Sequence, residues 1–233
     1  EEFLNRTNGL MISAEDVSAI EDRTEGWIAG LRLAALSMDG QENIKDFIKD
    51  FTGSHVFVAE YLIEEILHQQ PEDIQRFLLE TSILDRLTAG LCEAVTGEEA
   101  SQTYLLFLHH RNAFVLPLDS KGQWFRYHHL FSDLLQARLH QSYSDAEIAD
   151  LHRKASNWYN QNHHRVEAVN HALSARDFEL AAELIGKTAR TLIYSGRLKI
   201  LRDWMEILPE STILSHTDLN FFLFWIDLLQ GKV

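Results

Sequence analysis

The chain is poor in the residues that build cross-linked or loop-rich proteins. It has one cysteine, Cys92, in 233 residues, which excludes an internal disulfide framework and suits a reducing compartment. Three prolines and eleven glycines are too few for an all-β or turn-rich fold, and this scarcity favours helix. Positive charge is in deficit, with 21 Lys and Arg against 35 Asp and Glu and a net charge of −14. A field of that sign repels phosphate backbones and argues against direct nucleic-acid contact by this segment. The most apolar stretch, Phe221 to Leu229, is broken by Asp227 and falls far short of the ~20 residues that cross a bilayer. Glu1-Glu2 stand where a signal peptide would carry basic residues. The expectation is a soluble, cytoplasmic chain with no membrane partner. What is present is 45% hydrophobic and 10% aromatic, enough apolar surface for the core of one or two domains.

The apolar pattern is helical almost throughout. Ser13 with Asp16 forms a Ser-x-x-Asp start for a helix through about Arg23, and Thr24 is placed to cap the next one. That second helix carries Trp27, Ile28, Leu31, Leu33, Ala34, Ala35, Leu36 and Met38, with so few polar residues that burial on most sides is expected. Gly26 and Gly30 cost ~1 kcal/mol each in a helix relative to alanine, so they imply close packing or a ligand nearby. Further helices are expected over Ile44–Phe51, over 55–68, after Pro71 with Ile74, Phe77 and Leu78, from about Thr88 to Gly97, and from a Ser101 cap through Leu105, Leu106 and Leu108.

The period then changes. Phe114-Val115-Leu116-Pro117-Leu118, a turn at Asp119–Gly122, and Trp124-Phe125-Arg126-Tyr127 read as a β-hairpin, with Pro117 marking its strand as an edge. Short helices followed by one hairpin is the pattern of a winged helix. From Ser144 paired helices return, and Ala155-x-x-Trp158-Tyr159 recurs 34 positions on as Ala189-x-x-Leu192-Ile193, a tetratricopeptide-like spacing. Leu208-Pro209-Glu210 interrupts this region, and a last helix begins at Asn220.

Two segments carry a resemblance: Thr24-Glu25-Gly26-Trp27 with Gly30-Leu31-Arg32-Leu33-Ala34, and Trp124-Phe125-Arg126-Tyr127-His128-His129-Leu130-Phe131. With Thr96-Gly97-Glu98-Glu99, Glu167-Ala168-Val169 and His171-Ala172-Leu173 in order behind or between them, the chain resembles the MalT family of large LuxR-type transcriptional activators. These belong to the STAND class of signal-transduction ATPases. The resemblance implies a mainly α fold: residues 1–40 as the end of a helical lid domain, 41–142 as a winged helix, and 143–233 as the start of a tetratricopeptide-like superhelical sensor. It also implies an internal segment of a longer parent, because the chain opens without methionine and stops in mid-pattern at Gln230–Val233. The parent would hold ATP or ADP on a phosphate-loop domain, carry a LuxR DNA-binding domain, meet a small-molecule or protein inducer, and form a homo-oligomer. No Gly-x-x-x-x-Gly-Lys-Ser/Thr loop is present here, so no cofactor and no catalysis are expected of this segment alone.

In that class a winged-helix histidine meets the β-phosphate of ADP, which assigns His128 to the nucleotide; the alternative is a histidine that caps the following helix. Arg126 alternates onto the same strand face and reads either as a second phosphate contact or as an exposed strand arginine. Gly30 and Arg32 fall where related switches carry Gly-x-Pro against adenine. Arg32 replaces the proline, which departs from the adenine contact, and Gly30 reads foremost as a glycine that permits helix packing. His129 reads as a surface residue, and Cys92 as a small core residue. The adjacent pairs His109-His110, His128-His129 and His163-His164 are expected to point apart and hold no metal. Against the regulatory reading stands a stand-alone helical-repeat scaffold for a protein or peptide. The buried helix at 25–38 separates the two, since a pure scaffold has no need to begin there.

Overall fold

The computed structural model describes residues 13–38, 47–48, 51–52 and 56–222. The helix expected over Ile44–Phe51 lies largely outside the described residues, as does the last helix beyond residue 222. The fold is mainly α, with one two-stranded sheet among the described residues. Two compact units emerge. One takes the chain up to Ala89 together with Glu99–Ser142, and the other takes Gly90–Glu98 together with the chain from Tyr143.

In the first unit, α1 (Ala14–Thr24) starts where the Ser13 side chain accepts the Asp16 N–H. It ends on two successive left-handed residues, Glu25 (φ 47°) and Gly26 (φ 75°), whose N–H groups both return to the Glu21 carbonyl. This turn uses up residues 25–27, so α2 (Ile28–Met38) begins three residues later than a Thr24 cap requires. Thr24 closes α1 instead, its hydroxyl donating to the Ile20 carbonyl at 2.9 Å. Ala34, Ala35, Ser37 and Met38 are buried, but Ile28 is 72% exposed, so α2 is embedded on one side rather than on most sides. After α3 (Val56–Leu62) the helix widens into a π-helical turn, Ile63–Leu67. α4 (Glu72–Thr81) buries Ile74, Phe77 and Leu78, with Pro71 at the cap one residue before the first turn.

α5 (Ala89–Thr96) belongs to the second unit, and α6 (Ser101–His110) returns to the first. Ala100 stands at the α6 cap, and Ser101 is a buried first helical residue rather than a capping one. β1 (Val115–Pro117) pairs antiparallel with β2 (Phe125–Tyr127) in the register Val115↔Tyr127. The Asp119 carboxylate closes the turn by accepting from the N–H groups of Lys121, Gln123 and Trp124. Leu87 exchanges two backbone bonds with Phe125 on the far side of β2. The strand holding Pro117 is therefore the outer one, where a missing N–H costs least. Phe114 stands just outside the strand at φ 59°. α7 (His129–Ser142) buries Leu130, Phe131, Leu134, Leu135 and Leu139 and packs on α1, α3 and α4. Inside this core the Thr81 hydroxyl donates to the Phe77 carbonyl and lies 2.6 Å from the Tyr127 hydroxyl, which must then donate to it.

The second unit is built of helical hairpins: α8 (Asp145–Gln161) with α9 (Arg165–Ser174), then α10 (Phe178–Tyr194) with α11 (Leu198–Ile207), followed by α12 (Glu210–Ser215). Ser144 and Glu147 form a full capping box at the start of α8. Equivalent helices begin 33 residues apart (Asp145 and Phe178, Arg165 and Leu198), one fewer than the letter match suggests. Burial follows the 33 spacing: Ser156 matches Ala189, Tyr159 matches Leu192, and Ala168 matches Leu201, all buried. The left-handed turn residue His163 likewise matches Gly196. In α5, Gly90 lies against the Trp158 indole.

Candidate functional site

His128 occupies the single residue between β2 and α7, and it is 5% exposed. Its backbone carbonyl accepts the Phe131 and Ser132 N–H groups, while its own N–H donates to the Phe114 carbonyl. The ring works in both directions. Nδ1 accepts the Leu130 N–H at 3.3 Å, which caps α7, and that bond puts the proton on Nε2. Nε2–H donates to the Thr24 carbonyl at 2.9 Å, so the same ring ties the end of α1 to the start of α7. Trp27 and Phe114 surround it edge-on at 6.3 and 5.3 Å. Burial pushes the imidazole below its ordinary value of 6.5 against the favourable Thr24 bond, and the ring is neutral at pH 7. Here His128 performs the capping role.

Beside it, three side chains converge on one carboxylate. Arg126 grips Glu25 with both arms of its guanidinium, Nη1 to Oε1 at 2.9 Å and Nη2 to Oε2 at 2.8 Å. His129 Nδ1–H donates to Glu25 Oε1 at 2.7 Å. All three side chains are partly shielded, between 23% and 35% exposed. Burial alone would raise the Glu25 carboxyl, but the hydrogen bonds from Arg126 and His129 outweigh it and hold the group down at about 2, from 4.5. Arg126 is therefore a paired residue, not an isolated exposed strand arginine. His129 is a second arm of the clasp rather than a bare surface residue.

Glu25, His128 and His129 bring one donor atom each within 4.8 Å of one another. The two imidazoles stack, with centroids 4.9 Å apart and planes 19° from parallel. They do not point apart, because the pair straddles the junction of a strand and a helix rather than lying in one element. The chemistry is still that of an ion-pair clasp. A guanidinium holds both carboxylate oxygens, and both His128 nitrogens are committed to backbone groups, which leaves a cation no free lone pair on that ring.

Gly30 is buried under Trp27: an added Cβ would stand 2.3 Å from the indole ring. This is close packing, and it fixes the indole that lies against Phe114 and His128. Arg32 is exposed on α2, and no contact places it in the clasp. Of the four residues singled out in the sequence, His128 and Arg126 meet at the site, Gly30 supports it through Trp27, and Arg32 stands outside. The residue the reading missed as a site is Glu25. Its signal was a charged residue directly before Gly26 in a helix-ending turn.

Residues 63–147 match the MalT winged helix domain family. Over 230 residues the chain is 33% identical to the serine/threonine-protein kinase PknK of Mycobacterium tuberculosis, covering 99% of this chain and 21% of that protein. It is 28% identical over 237 residues to the HTH-type transcriptional regulator MalT of Yersinia enterocolitica, covering 100% of this chain and 26% of that protein. Against the MalT of Klebsiella pneumoniae it is 29% identical over 217 residues, covering 92% and 24%. The chain spans about a fifth to a quarter of the length of the curated relatives it matches. Residues 63–147, with their two-stranded wing and the helix that follows it, fit the MalT winged helix domain, and the chain as a whole is similar to MalT.

Proposed function

We propose that this chain is the regulatory middle segment of an ATP-dependent transcriptional regulator of MalT type. In this reading the lid end (1–40) and winged helix (41–142) close over a nucleotide held by a phosphate-loop domain of the parent. The tetratricopeptide-like hairpins (143–233) couple an inducer to release and self-assembly. The observation that carries the reading is the junction at Thr24-Glu25, where the end of α1 is tied to His128, Arg126 and His129 by four side-chain contacts of 2.7–2.9 Å. A device that opens and closes needs such a polar seam rather than an apolar core. The relatives add a second support. One is named a kinase and the other a transcriptional regulator, so the shared segment is independent of the output module and fits control rather than output.

Arg126 offers the positive charge, and Arg126 and His129 the N–H donors, that a phosphate takes, while His128 sets the position of the helix they flank. Any ATP turnover would belong to the phosphate-loop domain and be that of a slow switch. In the full-length parent, Arg126→Gln should lower ADP retention after gel filtration and raise reporter expression without inducer. Unchanged ADP content and unchanged expression in a folded variant would refute the reading. The alternative, a peptide-binding scaffold, draws on one feature: an apolar cleft of about 300 Å³ lined by Arg190, Ile193, Tyr194, Phe221 and Phe222.

A further inference from the structure

We propose that His152 and His171 form an acid-release latch: a hydrogen bond between their facing Nδ1 atoms ties α8 to α9, and a proton on each ring opens this first hairpin while the second stays closed. The latch needs no nucleotide and no other domain of the parent.

Three observations lead here. Nδ1 of His152 on α8 lies 2.8 Å from Nδ1 of His171 on α9, with the ring centroids 5.0 Å apart. At that length one ring donates its Nδ1–H and the other accepts with a lone pair. One added proton leaves the bond in place, as an imidazolium donating to a neutral ring. A second turns the acceptor into another N–H donor, and two positive rings then face each other. The pair also departs from the repeat. At the 33-residue spacing of the helices, His152 matches Ile185 and His171 matches Trp204, both of them buried. An apolar pair holds at any pH, whereas a histidine pair holds only while one ring stays neutral.

Finally, the surroundings among the described residues do not neutralise the second charge. α9 packs on α8, α10 and α11. From α8, Tyr159 stacks on His171 with centroids 5.4 Å apart, while Asp150 pairs with Arg153 and Lys154, and Arg153 also reaches Asp177. Glu167 of α9 is exposed. On α10, Glu183 pairs with Lys187, and Glu179 with His216. On α11, Trp204 gives its indole N–H to Asn170 at 2.8 Å, and Lys199, Asp203 and Glu206 are exposed. Burial first and His152 second keep a proton off His171, and no carboxylate counters them.

The test is hydrogen exchange of the 233-residue chain, read as the protection of α8 and α9 amides relative to those of α10 and α11. Taking the ratio cancels the pH dependence of exchange itself. The open hairpin binds at least one proton more than the closed one, so the ratio should fall about tenfold for each pH unit below about 6.5. The double variant His152→Ile/His171→Trp copies the second hairpin and should hold the ratio constant down to about pH 4.5. Should the indole not fit, His171→Leu serves, with the same expectation. Nitrogen-15 NMR of the imidazoles at neutral pH gives a readout that no variant is needed for: one ring of the two should carry its proton on Nδ1. Both rings in the Nε2–H form would overturn the proposal. So would a constant ratio in the wild type, equal loss of protection in both hairpins, or a falling ratio that survives in the variants.

Discussion

Replacing His128 with alanine removes two backbone bonds that no neighbouring side chain replaces. The Leu130 N–H, in the first turn of α7, loses its acceptor at a buried position. The Thr24 carbonyl loses the Nε2–H donor and keeps the Trp27 N–H at 2.8 Å. An unpaired buried N–H costs about 1–3 kcal/mol, and loss of a helix cap costs about 1 kcal/mol, largely the same interaction counted twice. The severed Thr24 bond adds about 1 kcal/mol, and the space left beside Trp27 and Phe114 adds a similar amount. The expected loss is therefore about 3–5 kcal/mol in the first unit. Urea denaturation followed by circular dichroism measures it as a lower midpoint with an unchanged slope. His128→Asn, whose short side chain also caps helices, should recover about 1 kcal/mol without restoring the tie to Thr24. Amide exchange at Leu130 should quicken in the alanine variant and less so in the asparagine one. A loss below about 0.5 kcal/mol for His128→Ala, or equal losses in both variants, would show that the ring is not the pin between α1 and α7.

Two further expectations follow from single distances. Gly30→Ala ought to gain about 1 kcal/mol of helix propensity, but its Cβ would lie 2.3 Å from a Trp27 ring that is itself wedged against Tyr61 and Phe114. The variant should therefore melt earlier, with a net loss of about 1–2 kcal/mol, and a variant that melts later would disprove the packing role. In the second unit, His171 Nδ1 sits 2.8 Å from His152 Nδ1, and the ring stacks on Tyr159. Burial first and the neighbouring His152 second hold the His171 imidazole down at about 3, from 6.5. The folded form thus binds its proton later than the unfolded chain, so stability should fall as pH drops from about 6.5 towards 3, by about 5 kcal/mol in all. His171→Phe should flatten that part of the curve of melting temperature against pH, and an unchanged slope would refute the assignment.

The hairpin was legible because its signals are local. Alternation from Val115 to Tyr127, an aspartate at the turn and a proline on one strand each depend on residues a few positions away. The return of helix at Ser144 could be read for the same reason. The helical repeat was legible as a recurrence but not in its register, because Ala155 and Ala189 agree in letter while burial aligns Ser156 with Ala189. Thr24 was misjudged as a cap because nothing local announces that Glu25 will take a left-handed conformation, an option usually left to glycine. Ser101 has the chemistry of a cap, and only the buried surroundings of its helix start turn it inward.

Sequence alone determined the mainly helical class and the wing at 114–127, since both rest on composition, period and short-range order, while the MalT-like character and the attention to the His128 neighbourhood came from the resemblance. Only the tertiary structure decided what that neighbourhood does. Glu25 and Arg126 are 101 positions apart, and nothing along the chain pairs one of 35 acidic residues with one of 21 basic ones. Their pairing follows from the packing of α1 and α7 in one unit, which brings Thr24 to His128 and so sets its neighbour Glu25 within reach of Arg126 and His129. The role of His128 was decided in the same way. A histidine can donate, accept or carry charge, and it was burial beside a helix start and a helix end that made this one a neutral pin between them.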